Sequence, residues 1–169
     1  TRTAPLPPGL PAGTPVYAAA PPVLQRITGL GVHRGLLGCF ERRSPAGPDG
    51  VVAAARRIVV LERVSNPTNL GVILRSAAGL GIDAALLDPT CSDPLYRRSV
   101  RVSMGHVLAV PFAALQPWPG GLKWLRDQGF RVLALTPGGP EALGDAIGPG
   151  PKIAVLLGSE GPGLSAEAI

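Results

Sequence analysis

The fold is decided by residues 58–87, which read IVVLERVSNPTNLGVILRSAAGLGIDAALL. The run Ile58–Leu61 is apolar and mostly β-branched, and it is too short for a helix, so it reads as a buried strand. From Asn69 to Leu80 the apolar residues change to helical spacing, at Leu70, Ile73, Leu74, Ala77 and Ala78. Thr68 or Asn69 is placed to cap that helix, and Gly79 and Gly81 to close it. Ala84–Leu87 is a second apolar strand. Two strands joined through a helix run parallel, and strands apolar on both faces need cover on both.

Downstream the same alternation continues. Asp88–Pro94 is rich in turn residues, Ser99–Gly105 reads as a short helix and Leu108–Pro111 as a strand. Leu122–Gln128 is a helix ended by Gly129, Arg131–Leu135 a strand, and Lys152–Leu157 the last strand. That strand feeds a glycine-rich loop and a helix starting at Ser165. The predicted class is therefore α/β, a mostly parallel sheet with helices on both faces. Upstream, the first 22 residues hold seven prolines and read as a linker. A short helix follows (Pro22, Val23, Leu24, Ile27, Leu30), then a strand around Leu36–Phe40. Ser44–Gly50 (SPAGPDG) reads as a loop and a boundary, dividing the chain into residues 1–50 and a main domain of residues 51–169.

Composition narrows the function. With 46% apolar and 16% charged residues, the chain can bury a core. The formal charge of +5 is uneven: residues 1–101 hold twelve arginines against six acids, and residues 102–169 hold four basic groups against five acids. A basic half suits a polyanion such as nucleic acid, and equally a basic protein with no such ligand. Cys39 and Cys91 lack any C-x-x-C or His companion and read as buried free thiols, with no metal site. No stretch has the apolar length of a membrane span, and the start lacks a signal pattern, so a cytoplasmic protein is expected.

Three strings sit where open α/β sheets place ligands, after strands. The first is Asn66–Gly79, with two Asn, a Pro, a helix-opening Gly71 and an Arg75 inside an otherwise apolar helix. By itself an Arg on a helix is usually a solvated side chain. The second is Leu156–Leu164 (LLGSEGPGL), in which Gly158, Gly161 and Gly163 permit close backbone approach. It is neither a P-loop nor G-x-G-x-x-G, and Glu160 could equally be a first-turn carboxylate favoured by a helix dipole. The third is Arg97–His106, where Arg97, Arg98 and Arg101 form an anion-binding cluster or an exposed face with scattered ion pairs. Tyr96 beside them could stack on a base. His33 and His106 read as structural histidines.

Together these strings resemble the SpoU (TrmH-like) class of the SPOUT RNA methyltransferases. Asn69, Gly71 and Arg75 look like that family's first motif. Arg101, Ser103, Met104 and Gly105, followed by Val110-Pro111-Phe112, are similar to its next block. Leu133–Pro137 resembles the strand before a cofactor loop, and Leu156–Leu164 its second motif. The resemblance runs from about Ile58 to Leu164 in the family's order. Upstream, Pro15–Tyr17 and Thr28–Leu37 resemble the tail of a small RNA-binding domain that often precedes the catalytic one.

The resemblance implies transfer of a methyl group from S-adenosylmethionine to a ribose 2′-hydroxyl of tRNA or rRNA. It implies catalytic roles for Arg75, Asn69 and Glu160, and a cofactor site at Leu135, Thr136, Pro137, Leu157, Gly158, Gly161 and Gly163. Arg97, Arg98 and Arg101 would contact RNA phosphates, in a homodimer. A guanidinium stays protonated, so Arg75 is expected to stabilise developing negative charge rather than act as a base. The third family motif, which completes the cofactor pocket and a trefoil knot, would lie beyond Ile169. The alternative is a non-catalytic RNA-binding or ribosome-assembly module on the same fold.

Overall fold

The structure is a computed structural model that describes residues 5–29, 31, 36–44, 46–150 and 152–169. The chain divides into two compact units, Thr1–Arg43 and Ser44–Ile169.

In the first unit, helix α1 (Pro21–Thr28) starts with proline at a position where the missing N–H costs nothing, and it stops at Gly29 with φ 68°. It buries no side chain. The strand expected at Leu36–Phe40 is absent: these residues have no ladder partner, and Phe40 is 85% exposed. Leu30 and the stretch 32–35, which carry part of the upstream resemblance, lie outside the described residues.

The second unit is built on a five-stranded sheet: β1 (Arg57–Leu61), β2 (Ala84–Leu87), β3 (Phe112–Ala114), β4 (Arg131–Ala134) and β5 (Ile153–Leu157). The order is β3-β2-β1-β5-β4, and every neighbouring pair is parallel. Alternation along β1 divides the core in two. Ile58 and Val60 face the layer of α2 (Pro48–Val52) and α5 (Gly121–Asp127), with Leu122, Leu125 and Phe130. Val59 and Leu61 face α3 (Pro67–Gly79), through Leu70, Leu74 and Ala77. Helices thus cover both faces, as a parallel sheet requires.

Several boundaries differ from expectation, each for a local reason. Within the loop expected at 44–50, Pro48 begins α2, because its fixed φ suits a first helical turn and Val51 and Val52 find the core. The cap of α3 is Asn66, not Thr68 or Asn69: its Oδ1 accepts the Thr68 N–H at 2.8 Å, and Pro67 takes the first helical position. Helix α4 (Arg97–Val102) begins two residues before the expected Ser99. The strand expected at Leu108–Pro111 instead begins at Phe112, since residues 106–108 close a 3-10 turn. A further helix, α6 (Leu143–Ile147), was not expected. No helix starts at Ser165; a turn follows it. Cys39 is exposed rather than buried. Cys91 is half-buried, and burial, ahead of its other interactions, pushes its thiol up to about 12.

Gly71 sets how α3 and α4 meet. A Cβ there would lie 2.7 Å from the Ser99 carbonyl oxygen. The buried Ser99 returns the contact by donating its hydroxyl to the Pro67 carbonyl at 3.1 Å. The helix-opening glycine is therefore a close-packing residue.

Candidate functional site

The carboxyl ends of β1, β5 and β4 emerge side by side. Leu61 pairs with Leu157, and Ala134 with Leu156. The ladder runs on past the strands, with Glu62 N–H donating to the Leu157 carbonyl at 2.8 Å and Leu135 N–H to that of Leu156 at 3.0 Å. Three loops therefore leave the sheet together: 62–66, 135–139 and 158–164.

Where the first and third of these loops meet the start of α3, the Asn69 side-chain amide donates to a Glu160 carboxylate oxygen at 2.8 Å. An open cleft of about 190 Å³ surrounds this pair, lined by Arg63, Val64, Ser65, Asn66, Asn69, Ser159 and Glu160. Two of the sequence strings, far apart in the chain, thus share one cleft. Arg75 does not line it. It lies six residues further along α3, about 9 Å along the axis, exposed and without a salt-bridge partner among the described residues. Arg97, Arg98 and Arg101 are exposed on α4, and Arg98 reaches back to the start of α3 by donating its Nε–H to the Thr68 hydroxyl at 2.6 Å.

The glycine-rich loop is a tight self-contained turn. A Cβ on Gly158 would fall 2.2 Å from the Gly163 carbonyl carbon, so the close approach that this glycine permits is to the loop's own returning backbone. Ser159 and Gly163 form an antiparallel bridge, with Gly163 N–H donating to Ser159 O at 3.0 Å. Gly161 and Gly163 have φ of 90° and 72°, where other residues are strained. Beside the turn, the Leu135 side chain is 37% exposed and Thr136 is half-buried. Pro137 is exposed, and Thr136 O accepts the Gly139 N–H at 3.2 Å. An exposed apolar side chain beside a glycine-rich turn suits the flat face of a nucleoside. Among the described residues no cluster of His, Cys, Asp or Glu has the makings of a metal site.

Sequence reading passed over the residues that brace these loops. Glu62 is only 2% exposed, and it accepts hydrogen bonds from Trp118 Nε1 at 3.0 Å and from the Ser165 amide at 2.7 Å and hydroxyl at 2.6 Å. Burial pushes its carboxyl up, but the Ser165 and Trp118 bonds and the Arg63 guanidinium together outweigh it, and the pKa lies below its ordinary value. Asp88, buried at the end of β2, accepts the Arg63 N–H at 3.2 Å and, at 2.9 Å each, those of Thr90 and Cys91. It steadies Arg63, which adopts a φ of 54°. One signal was available: extending the alternation Ile58, Val60 by two lands on Glu62, an acid on the core face.

Comparison with known proteins supplies a family. Residues 56–169 match the SpoU rRNA Methylase family. A Mycobacterium bovis protein named as an uncharacterized tRNA/rRNA methyltransferase is 47% identical over 162 residues, spanning 93% of this chain and 56% of that protein. The chain thus spans a little over half the length of that relative. Among solved structures, an AdoMet-bound rRNA methyltransferase from Sinorhizobium meliloti is 29% identical with a TM-score of 0.59, covering 75% of this chain and 48% of that one. An RNA 2′-O ribose methyltransferase is likewise 29% identical, with a TM-score of 0.57, covering 79% and 48%.

Proposed function

This chain belongs to the SpoU rRNA Methylase family, and we propose that it is the catalytic part of an S-adenosylmethionine-dependent methyltransferase acting on a ribose 2′-hydroxyl of tRNA or rRNA. One observation carries the reading: the bond from Asn69 to Glu160, which joins the helix-opening string to the glycine-rich turn at the carboxyl ends of β1 and β5. Open parallel sheets bind their ligands at such ends.

S-adenosylmethionine supplies a sulfonium methyl open to in-line attack. The chain's share is positioning and charge. Backbone at Leu135, Thr136, Pro137, Leu157, Gly158, Gly161 and Gly163 would hold the adenosyl group, and the Asn69–Glu160 pair would orient the ribose. A ribose hydroxyl is a weak nucleophile, so aligning it and stabilising the charge that develops on its oxygen are the main sources of rate. Arg75 is assigned that stabilising role; its permanent positive charge suits an oxyanion and forbids a role as base. The hydroxyl proton would therefore pass to a neighbouring RNA phosphate or water as the C–O bond forms, the S–CH3 bond breaks and S-adenosylhomocysteine leaves. Arg75 lies outside the Asn69–Glu160 cleft, so this role requires its exposed side chain to reach across to the ribose that the pair orients when RNA binds. Arg97, Arg98 and Arg101, exposed near the start of α3, would hold flanking phosphates. The homodimer is part of the same proposal, and sedimentation velocity measures it.

The test is calorimetry of the full-length protein with S-adenosylmethionine, followed by transfer of labelled methyl to tRNA and rRNA. A methylated ribose blocks alkaline cleavage at that nucleotide, because the 2′-hydroxyl is the attacking group. Methyl transfer that leaves cleavage intact would place the product on a base and refute the 2′-O assignment. RNA binding with no cofactor binding would favour the non-catalytic module.

A further inference from the structure

We propose that Glu62 is a positioning residue that holds the glycine-rich turn in its ligand-binding shape through Ser165, an inference that rests on reading this turn as the cofactor site. The turn has two ends. One is fixed by β5, where Leu157 remains in the ladder with its carbonyl accepting the Glu62 N–H. The other is Ser165, directly after Leu164, and Glu62 grips it twice, with Oε2 accepting its amide and Oε1 its hydroxyl. One residue thus secures both ends, by its backbone and by its side chain.

Glu62 stands on the core face of the sheet, in line with Ile58 and Val60, where an apolar residue is the ordinary choice. A buried carboxylate is costly unless donors surround it. Here three N–H and O–H donors converge on it, from Trp118 and Ser165, with the Arg63 guanidinium 4.0 Å from Oε2. Two bonds to one residue fix orientation as well as position. Between the fixed ends, the turn's contact with α3 is the exposed Asn69–Glu160 bond, which competes with water. The shape of the turn is therefore governed chiefly from its ends.

Glu62→Gln tests this at constant volume. Either amide orientation points an NH2 at a donor, so a bond to Ser165 or to Trp118 is lost. In the full-length protein the KM and Kd for S-adenosylmethionine should rise about tenfold, as loss of a charge-assisted bond implies. At saturating cofactor, kcat should stay within about threefold. Ser165→Ala keeps the amide bond and should show a smaller rise of the same kind; if Glu62→Gln does not fold, this variant decides. An unchanged KM with a lower Tm would mean that Glu62 only stabilises the core, and would overturn the proposal. Amide hydrogen exchange across residues 158–165 separates this inference from the cofactor reading. Faster exchange confined to the turn in Glu62→Gln supports the grip even if the wild type binds no S-adenosylmethionine, an outcome that refutes the cofactor site alone. Unaltered exchange there refutes the grip.

Discussion

Arg75 projects from a helix whose inward residues, Leu70, Leu74 and Ala77, are all buried, yet it meets no carboxylate among the described residues. A cation placed so can leave for a ligand without breaking an existing pair. Arg75→Ala should therefore lower methyl transfer by about a hundredfold or more, the size typical of losing one electrostatic stabiliser of a transition state. The Kd for S-adenosylmethionine should stay within about threefold in calorimetry, because ground-state contacts are untouched. Loss of cofactor binding with transfer retained would reverse the assignment. At this scale the sequence marks Asn69 and Glu160 as unusual residues in two strings, but not their 2.8 Å bond. Glu62 is hidden further, since an acid after a strand looks like any surface acid until its donors are seen.

The packing of α3 on α4 turns on one missing methyl. Alanine at 71 would gain about 1 kcal/mol of helix propensity, against about 1–3 kcal/mol for overpacking. The obstacle is the Ser99 backbone oxygen at 2.7 Å, which cannot swing aside as a side chain could, so overpacking wins. Gly71→Ala should destabilise the protein by up to about 2 kcal/mol, read as a lowered urea midpoint; an unshifted midpoint would show that α4 yields freely. Helix α4 also carries the cationic face. Replacing Arg97 and Arg98 together with alanine should weaken RNA binding and flatten its log–log salt dependence by about one unit per lost phosphate contact. An unchanged slope would rule out direct phosphate contact. Strands β1, β2 and β5 fall where apolar runs place them; β1 and β2 are buried almost throughout, and β5 buries alternate residues between two neighbouring strands. The region around β3 was misplaced because Leu108, although apolar, is 72% exposed on a 3-10 turn, while the quieter Phe112–Ala114 enters the sheet.

Among the described residues of the second unit, two carboxyls hold pKa values below their ordinary 4.5 and 3.8: Glu62, for the reasons given above, and Asp83, which accepts the Arg57 and Arg56 backbone N–H groups. Groups with lowered folded values add stability that is complete above their unfolded pKa and is lost as pH falls through the folded one. The free energy of unfolding should therefore begin to drop as pH falls past about 4.5, and continue below 3.8. Denaturant titrations between pH 6 and about 3 check this, and Asp83→Asn should make the curve shallower. A curve with the same slope in that variant would show that Asp83 does not contribute.

From sequence, the strand–helix–strand pattern of Ile58 to Leu87 and its continuation to Leu157 implied a parallel sheet covered on both faces, because short apolar runs alternate there with helical apolar spacing. The motif strings likewise identified the family that residues 56–169 match. Only tertiary structure decided that β5 lies between β1 and β4, so that the turn at 158 opens beside Glu62 and Asn69. Periodicity records which side of each element is apolar, but strand order depends on contacts between residues nearly a hundred positions apart, and no local pattern encodes those.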